Sequence, residues 1–339
     1  MEKYYITTPI YYVNDKPHIG HAYTTILADT ISRFRALVGE KPTFLTGLDE
    51  HGLKVQQAAE KNGKAPQDHC DSMAPAFIDL WKKLNINYSD FIRTTEHRHT
   101  KIVQQILTKV HESGDIYMDE YEGWYSISEE RFITEKELDS GQFGQVKQIK
   151  EKNYFFRMSK YQATLIDKIE NDELLIQPKS RKNEVLGFLK NELSDLCISR
   201  PKSRLEWGIE LPFDDNYVTY VWFDALINYI SAIGAYSNDE QFSSLWPADV
   251  HLIGKDILTT HSVYWPTMLL SLGLPLPQRI FAHGWWLTDD QKMSKSLGNV
   301  VSPLMLIDDF GVDSVRYYLM SEMVLGMDAT FSSESFEKK

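Results

Sequence analysis

The sequence predicts an α/β fold: a Rossmann-like, doubly wound parallel sheet that is split by an inserted connective domain. The first observation is that aromatic and β-branched stretches alternate with helix-spaced apolar runs over the first hundred residues. The second is that this alternation stops near residue 116 and resumes near residue 215. Because strand–helix alternation with short connections is typical of parallel sheets, the stretch between is interpreted as an insertion.

The first half begins with a strand predicted at Lys3–Thr8, which is aromatic and β-branched and is bounded by Pro9. A helix follows from Gly20, because apolar residues recur at helical spacing until Gly39 supplies a stop. The other elements predicted in this half are a strand at 42–46, helices at 53–61 and 66–84, a strand at 91–94 and a helix at 98–113.

The middle, roughly residues 116–160, carries short strand signals without a helical period. The elements predicted after it are helices at 159–171 and 183–196, a strand at 217–222, a helix at 223–233, a strand at 250–253, a helix at 256–272, a strand at 279–287 and a helix at 313–324 before a polar end. We therefore divide the chain into a first half of the Rossmann-like domain, an insertion, a second half and the start of a linking region, at 1–115, 116–214, 215–298 and 299–339.

Composition excludes several classes of protein. The formal net charge is −12, so contact with nucleic acid is expected to be local, unlike that of a basic coat protein. No apolar run approaches the ~20 residues that cross a bilayer, and no membrane partner is expected. Cys70 and Cys197 are too few for a disulfide framework, and no signal-peptide pattern stands at the N-terminus. These features predict a cytoplasmic protein.

The stretch His18-Ile19-Gly20-His21 stands where the first strand gives way to a helix. Helix N-termini present unpaired N–H groups to anions, Gly20 allows a flat ligand to approach, and imidazoles donate hydrogen bonds to phosphate. Two other interpretations remain open from these residues alone. The histidines could simply cap the helix, or they could bind a metal ion with Asp49 and His51, although zinc motifs usually include cysteine or a fixed glutamate.

A second stretch, Lys292-Met293-Ser294-Lys295-Ser296, places two cations in a loop after a strand-like segment. The pair of stretches, each at a strand exit, resembles the signature of class I aminoacyl-tRNA synthetases. That resemblance implies an ATP site formed by His18, Gly20 and His21, over which Lys292, Ser294 and Lys295 close. It also implies catalytic roles for the two histidines and the two lysines.

Four further blocks narrow the resemblance to methionyl-tRNA synthetases. They are Thr8–Asn14, Leu48–Gly52, Val221–Ala225 and Ile253–Ile257. The family would activate L-methionine with ATP and Mg²⁺ to methionyl-adenylate and pyrophosphate, then transfer methionine to the 3′ end of tRNA(Met). A carboxylate needs no general base to attack phosphorus, so a site of histidines and lysines fits this chemistry.

The same resemblance implies a methionine pocket. Asp49 would accept from the ammonium group, and Tyr12, Trp222 and Tyr229 would surround the thioether with polarisable rings. On spacing alone, packing in the core is the preferred interpretation of Trp222 and Tyr229. The resemblance adds four further pocket residues, which are Ile10, Ala225, Ile257 and His261. Ile10 would contact the substrate through its backbone.

This sequence departs from the family pattern in two places, and each departure predicts a property of the protein. Residues 125–130 and 140–144 lack the cysteine pairs of the family's zinc knuckle, which predicts an insertion without zinc. The chain also stops before the family's helical anticodon-binding domain, so methionine activation is expected to persist while charging of tRNA(Met) is expected to be weak. The basic segments 178–182 and 200–204 are interpreted as solvated surface, with contact to the acceptor stem of tRNA as the alternative. The alternatives are a non-catalytic paralogue that acts as a binding module, and another class I synthetase.

Overall fold

Four sheets, one of them parallel, organise the part of the chain that the structure describes. This computed structural model describes residues 2–126, 131–133, 138–139, 145–288, 291–292 and 301–338. Within those ranges, no helix combines the length and the apolar character that spanning a bilayer requires.

The strands are given in chain order. They are β1 Lys3–Tyr12, β2 Lys41–Asp49, β3 Asp90–Arg93, β4 Ile116–Ser126, β5 Arg131–Ile133, β6 Val146–Phe156, β7 Leu175–Gln177, β8 Leu196–Cys197, β9 Ser199–Pro201, β10 Glu210–Leu211, β11 Asp214–Thr219, β12 Val250–Gly254, β13 Arg279–His283, β14 Trp286–Thr288, β15 Gln291–Lys292 and β16 Ala329–Phe331.

The α-helices are numbered separately. They are α1 Ile19–Leu37, α2 Leu53–Lys61, α3 Pro66–Lys83, α4 His97–Glu112, α5 Gln162–Glu170, α6 Lys179–Phe188, α7 Val221–Leu226, α8 Asn228–Ser231, α9 Asp239–Leu245, α10 Trp265–Leu272, α11 Pro303–Phe310, α12 Val312–Glu322 and α13 Ser333–Glu337. Short 3₁₀ and π turns at Met158–Tyr161, Lys255–Ile257 and Thr260–Tyr264 precede α5 and α10.

The main sheet has six strands in the order β3-β2-β1-β12-β13-β7, and every pair in it is parallel. Side chains from β1 alternate between two hydrophobic cores, with Tyr5 in one and Tyr4 and Ile6 in the other. A sheet buried on both faces in this way is doubly wound. The predicted fold class is confirmed.

The middle of the chain forms a separate antiparallel sheet in the order β5-β4-β6-β8. Its strands β4 and β6 are 11 residues each, longer than the short strand signals in the sequence indicate. One strand between residues 116 and 214, β7, instead pairs with β13 at the edge of the main sheet. The domain boundaries themselves stay a prediction.

Several predicted elements are wrong in place or partner. The strand predicted at 217–222 is β11, which pairs antiparallel with β9 and β10 and lies outside the main sheet. The helix predicted at 183–196 is α6, which begins after Pro178 and ends at Phe188. Its later apolar residues, Leu189 and Leu193, are buried without being helical, so their spacing indicated burial only.

The predicted helix at 223–233 begins earlier and divides at Ile227 into α7 and α8. The strand predicted at 279–287 is two strands: β13 belongs to the main sheet, while β14 pairs in parallel with β16 and antiparallel with β15. Sequence reasoning missed α11, β16 and α13, which lie in short or polar segments without a clear period. The helix predicted at 313–324 is confirmed as α12.

Replacing Gly47 with alanine tests the closeness of β2 and β3. A Cβ atom at Gly47 would lie 2.0 Å from the carbonyl oxygen of Ile92, so the two strands would have to separate. We expect Gly47→Ala to lower the free energy of unfolding by about 1–3 kcal/mol in urea titrations. Gly187→Ala is the control: it lies in α6 with open space around it and is expected to stabilise by about 0.5–1 kcal/mol. An unchanged midpoint for Gly47→Ala would contradict the close contact.

Candidate active site

A cavity of about 380 Å³ opens at the carboxyl ends of the strands of the main sheet. It lies at the switch point between β1 and β12, where doubly wound sheets bind ligands. The described residues that line it are Pro9, Ile10, Tyr11, Tyr12, His18, Gly20, His21, Thr24, Asp49, Lys54, Val221, Trp222, Ala225, Leu226, Asn228, Tyr229, Gly254, Asp256, Ile257, His261, His283, Gly284, Trp285 and Trp286.

The cavity brings together every predicted site residue whose side chain the structure describes. The predicted ATP residues among them are His18, Gly20 and His21, and the predicted methionine residues are Ile10, Tyr12, Asp49, Trp222, Ala225, Tyr229, Ile257 and His261. Lys292 lies in β15, but its side chain is outside the part of the chain that the structure describes. Ser294 and Lys295 are outside it entirely. The roles of the signature loop therefore stay predictions.

His18 and His21 cap α1 with their own side chains. The Nδ1 atom of His18 accepts from the Gly20 N–H at 3.0 Å, and that of His21 accepts from the His18 N–H at 3.2 Å. The two rings stack with centroids 3.8 Å apart. Since each Nδ1 accepts, the proton of each neutral ring is on Nε2. Capping and phosphate binding are thus compatible, because the nitrogen that caps is not the one that donates.

Burial lowers the pKa of His21 well below its ordinary value, and the neighbouring His18 lowers it further. His21 is therefore an uncharged donor at neutral pH. The metal interpretation gains no support from the rings: His51 Nδ1 is bonded to Asp224. Within the described ranges, no group of three His, Cys, Asp or Glu side chains could hold a metal ion.

Tyr229 and His261 form an uncharged wall of the cavity. His261 Nδ1 donates to the Ile257 carbonyl oxygen at 2.9 Å, so its Nε2 accepts from the Tyr229 hydroxyl at 2.7 Å. Burial lowers the pKa of His261 to about 4 and raises that of Tyr229. The Trp222 ring lies edge-on to His261, with centroids 6.5 Å apart. Aromatic and neutral groups in this arrangement favour an apolar, polarisable ligand.

An ion pair between Lys255 and Asp328 lies next to the cavity residues Asp256 and Trp285. The Lys255 ammonium group lies 2.7 Å from the Asp328 carboxylate and 4.1 Å from the centroid of the Trp285 ring. The backbone N–H of Trp285 also donates to Asp328, and its indole N–H donates to Asp256 at 3.3 Å. The segment that precedes β14 is therefore fixed to the segment that precedes β16.

One predicted surface segment is wrong in part. Arg200 is only 3% exposed, and its guanidinium group lies between the rings of Tyr125 and Tyr220, at 5.5 and 4.5 Å from their centroids. In the same segment, Lys202 pairs with Glu210. A run of basic residues in sequence does not reveal which of them turns inward on a short strand such as β9.

A family profile described as tRNA synthetases class I (M) matches residues 4–142 and 140–339. The chain belongs to this family. Methionine–tRNA ligases of Clostridium tetani and Clostridium acetobutylicum are both 52% identical to it, over 99% and 100% of the chain. The chain spans about half the length of these curated relatives, 53% of each.

A solved structure of the same family has the same fold. It is that of Mycobacterium tuberculosis methionyl-tRNA synthetase in complex with methionyl-adenylate, and it superposes with a TM-score of 0.95 at 42% identity. The match covers 100% of this chain and 68% of the other.

Sequence reasoning missed some cavity residues of this class I synthetase chain. Asp256 and Val221 fall inside blocks that carried the family resemblance, so the blocks themselves were the available signal. Asn228 donates to the Ala225 carbonyl oxygen at 2.7 Å and also lines the cavity. It lies between the predicted pocket residues Ala225 and Tyr229, but no pattern in the sequence indicated it. Thr24 and Lys54 had no signal beyond their places near the starts of α1 and α2.

The lowered pKa of His261 predicts acid sensitivity. Between pH 6.5 and about 4 the unfolded chain takes up a proton that folded His261 does not, so the free energy of unfolding falls as the pH is lowered. Between pH 7 and pH 5 this one group contributes about 2 kcal/mol of that fall. In urea titrations we expect the free energy of unfolding of His261→Asn to fall less between pH 7 and pH 5, by this amount. The control is His97→Asn, because His97 is exposed. An equal change in both variants would contradict burial as the cause.

Proposed function

We propose that this chain carries the activation site of a methionine–tRNA ligase. It would join L-methionine to ATP, forming methionyl-adenylate and pyrophosphate, and then transfer methionine to the 3′ end of tRNA(Met). The observation that carries the proposal is that the predicted ATP residues and the predicted methionine residues line one cavity at the switch point of the sheet. The names of the relatives support it, as does the methionyl-adenylate complex of the Mycobacterium tuberculosis protein.

The nucleotide would lie over the start of α1. The α1 N-terminus carries a partial positive charge, and the Nε2–H groups of His18 and His21 add donors without a full charge. The methionine carboxylate attacks the α-phosphorus, and the bond to the bridging oxygen breaks as pyrophosphate leaves. Catalysis is then a matter of alignment and of stabilising charge on phosphate oxygens. Lys292 and Lys295 would supply cations, and Mg²⁺ would enter with ATP.

The amino acid would lie between Asp49 and the wall formed by Tyr229 and His261. Asp49 is buried at the end of β2, where its carboxylate can accept from the substrate ammonium group beside the Ile10 carbonyl. The thioether would contact Tyr12, Trp222 and the neutral wall, none of which carries a charge. A charged or strongly polar side chain would lose its hydration there without compensation.

Methionine-dependent exchange of labelled pyrophosphate into ATP tests the reaction. We expect exchange with methionine and not with leucine or cysteine. This comparison separates the proposal from its alternatives, which are another class I synthetase and a non-catalytic binding module. Lys295→Ala is expected to slow exchange by about 10²–10³-fold, the usual effect of removing one group that stabilises transition-state charge. Lys61→Ala, at an exposed position at the end of α2, is the control and should retain wild-type exchange. A folded protein that exchanges with no amino acid would leave the binding-module alternative.

Asp49→Asn tests the ammonium contact. The substitution keeps the shape of the side chain and removes its charge, so a charge-assisted hydrogen bond becomes an ordinary one. We expect the KM for methionine to rise by about 10–100-fold while the KM for ATP changes little. An equal rise in both KM values would contradict the ammonium contact and would indicate that Asp49 maintains the shape of the whole cavity.

A further inference from the structure

Asp224 is a buried carboxylate that lies beneath the cavity without lining it. One of its oxygens accepts from His51 Nδ1 at 2.6 Å, and the other accepts from His99 Nε2 at 2.7 Å. All three side chains are buried, with Asp224 and His99 at 0% exposure. Burial by itself would raise the pKa of Asp224, but His51 and His99 offset this, and the pKa lies below its ordinary value.

The two hydrogen bonds to the Asp224 carboxylate have a fixed direction. A carboxylate only accepts, so His51 carries its proton on Nδ1 and His99 carries one on Nε2. The other nitrogen of His99, Nδ1, lies 2.8 Å from the Ser231 hydroxyl oxygen and forms a hydrogen bond with it. Asp224 lies on α7 and Ser231 on α8, so the His99 ring bridges the two helices across the division at Ile227.

The cluster joins the two ends of the proposed amino-acid site. His51 is two residues after Asp49, in a turn where the Gly52 N–H donates to the Trp207 carbonyl oxygen at 3.1 Å. Trp222 and Tyr229, which line the cavity, are carried by the two helices that His99 holds. Asp224 therefore connects the turn behind the ammonium contact to the helices behind the side-chain contacts.

We propose that Asp224 is a positioning residue for recognition of the substrate amino acid, acting through His51 and His99 to set the distance between Asp49 and the wall made by Trp222 and Tyr229. This inference rests on the proposed function, since it concerns how methionine is held. It assigns no contact between Asp224 and substrate. It predicts that disturbing the cluster weakens methionine binding more than ATP binding, because the nucleotide end of the cavity is built on α1.

The informative variant is Asp224→Asn. An asparagine side chain has nearly the same shape, but its amide can accept from only one of the two imidazoles and must turn its N–H₂ towards the other. One hydrogen bond is then lost, or a histidine proton has to move. Ser231→Ala is a milder variant, because it removes only the hydroxyl that meets His99.

Asp115→Asn is the matched control. Asp115 is also buried, at 2% exposure, and its carboxylate accepts from Lys160, Tyr161 and Ser271. It does not line the cavity. A loss of stability without a change in methionine recognition is therefore expected for this variant.

The experiment measures KM for methionine and for ATP by pyrophosphate exchange, together with the urea midpoint, in the wild type and the three variants. We expect Asp224→Asn to raise the KM for methionine by about 10–100-fold and that for ATP by less than about twofold. Ser231→Ala is expected to raise the methionine KM by about fivefold. If Asp224→Asn does not fold, Ser231→Ala decides the question.

Two results would overturn the inference while the proposed function stands. One is an unchanged methionine KM in a folded Asp224→Asn or Ser231→Ala protein. The other is a rise of the same size in Asp115→Asn, which would reduce Asp224 to a general contribution to stability. A wild-type chain without methionine-dependent exchange would instead overturn the proposed function and this inference with it.

Discussion

Parallel pairing of β1 with strands on both sides is the constraint on which the rest of the structure depends. β1 pairs with β2 along Lys3–Tyr12 and with β12 at Ile6 and Thr7. In a parallel ladder the carboxyl ends meet at one edge, so residues more than 200 positions apart reach the same cavity. The start of α1, Asp49 and the residues after β12 become neighbours for this reason alone.

Elements with a strong local pattern could be predicted from the sequence. The limits of α2 agree with the prediction at both ends, and Gly39, with φ at 91°, follows the end of α1 as expected. The failures share a cause. β11 has the composition of a buried strand but pairs outside the main sheet, and Leu189 and Leu193 are buried without being helical. Local pattern reports burial and period, whereas pairing partners are set by the tertiary structure.

The candidate site was predictable where residues lie in short contiguous blocks, such as His18 to His21. Two interpretations that the sequence presented as rivals, capping and phosphate binding, are reconciled by the two nitrogens of one ring. The cluster of His51, His99 and Asp224 had no such signal. Its members come from a turn, a helix and a second helix that are distant in sequence, and only the fold brings them within hydrogen-bonding distance.

The parallel pairing of β14 with β16 has a consequence for how the chain is made. Trp286 forms part of the cavity wall, and its strand is held by Ala329–Phe331. During synthesis the ribosome releases the chain from its N-terminus, so all six strands of the main sheet emerge before β16 does. The sheet can therefore assemble on the nascent chain while the wall at Trp286 still lacks its support, and the complete cavity forms only after β16 has emerged.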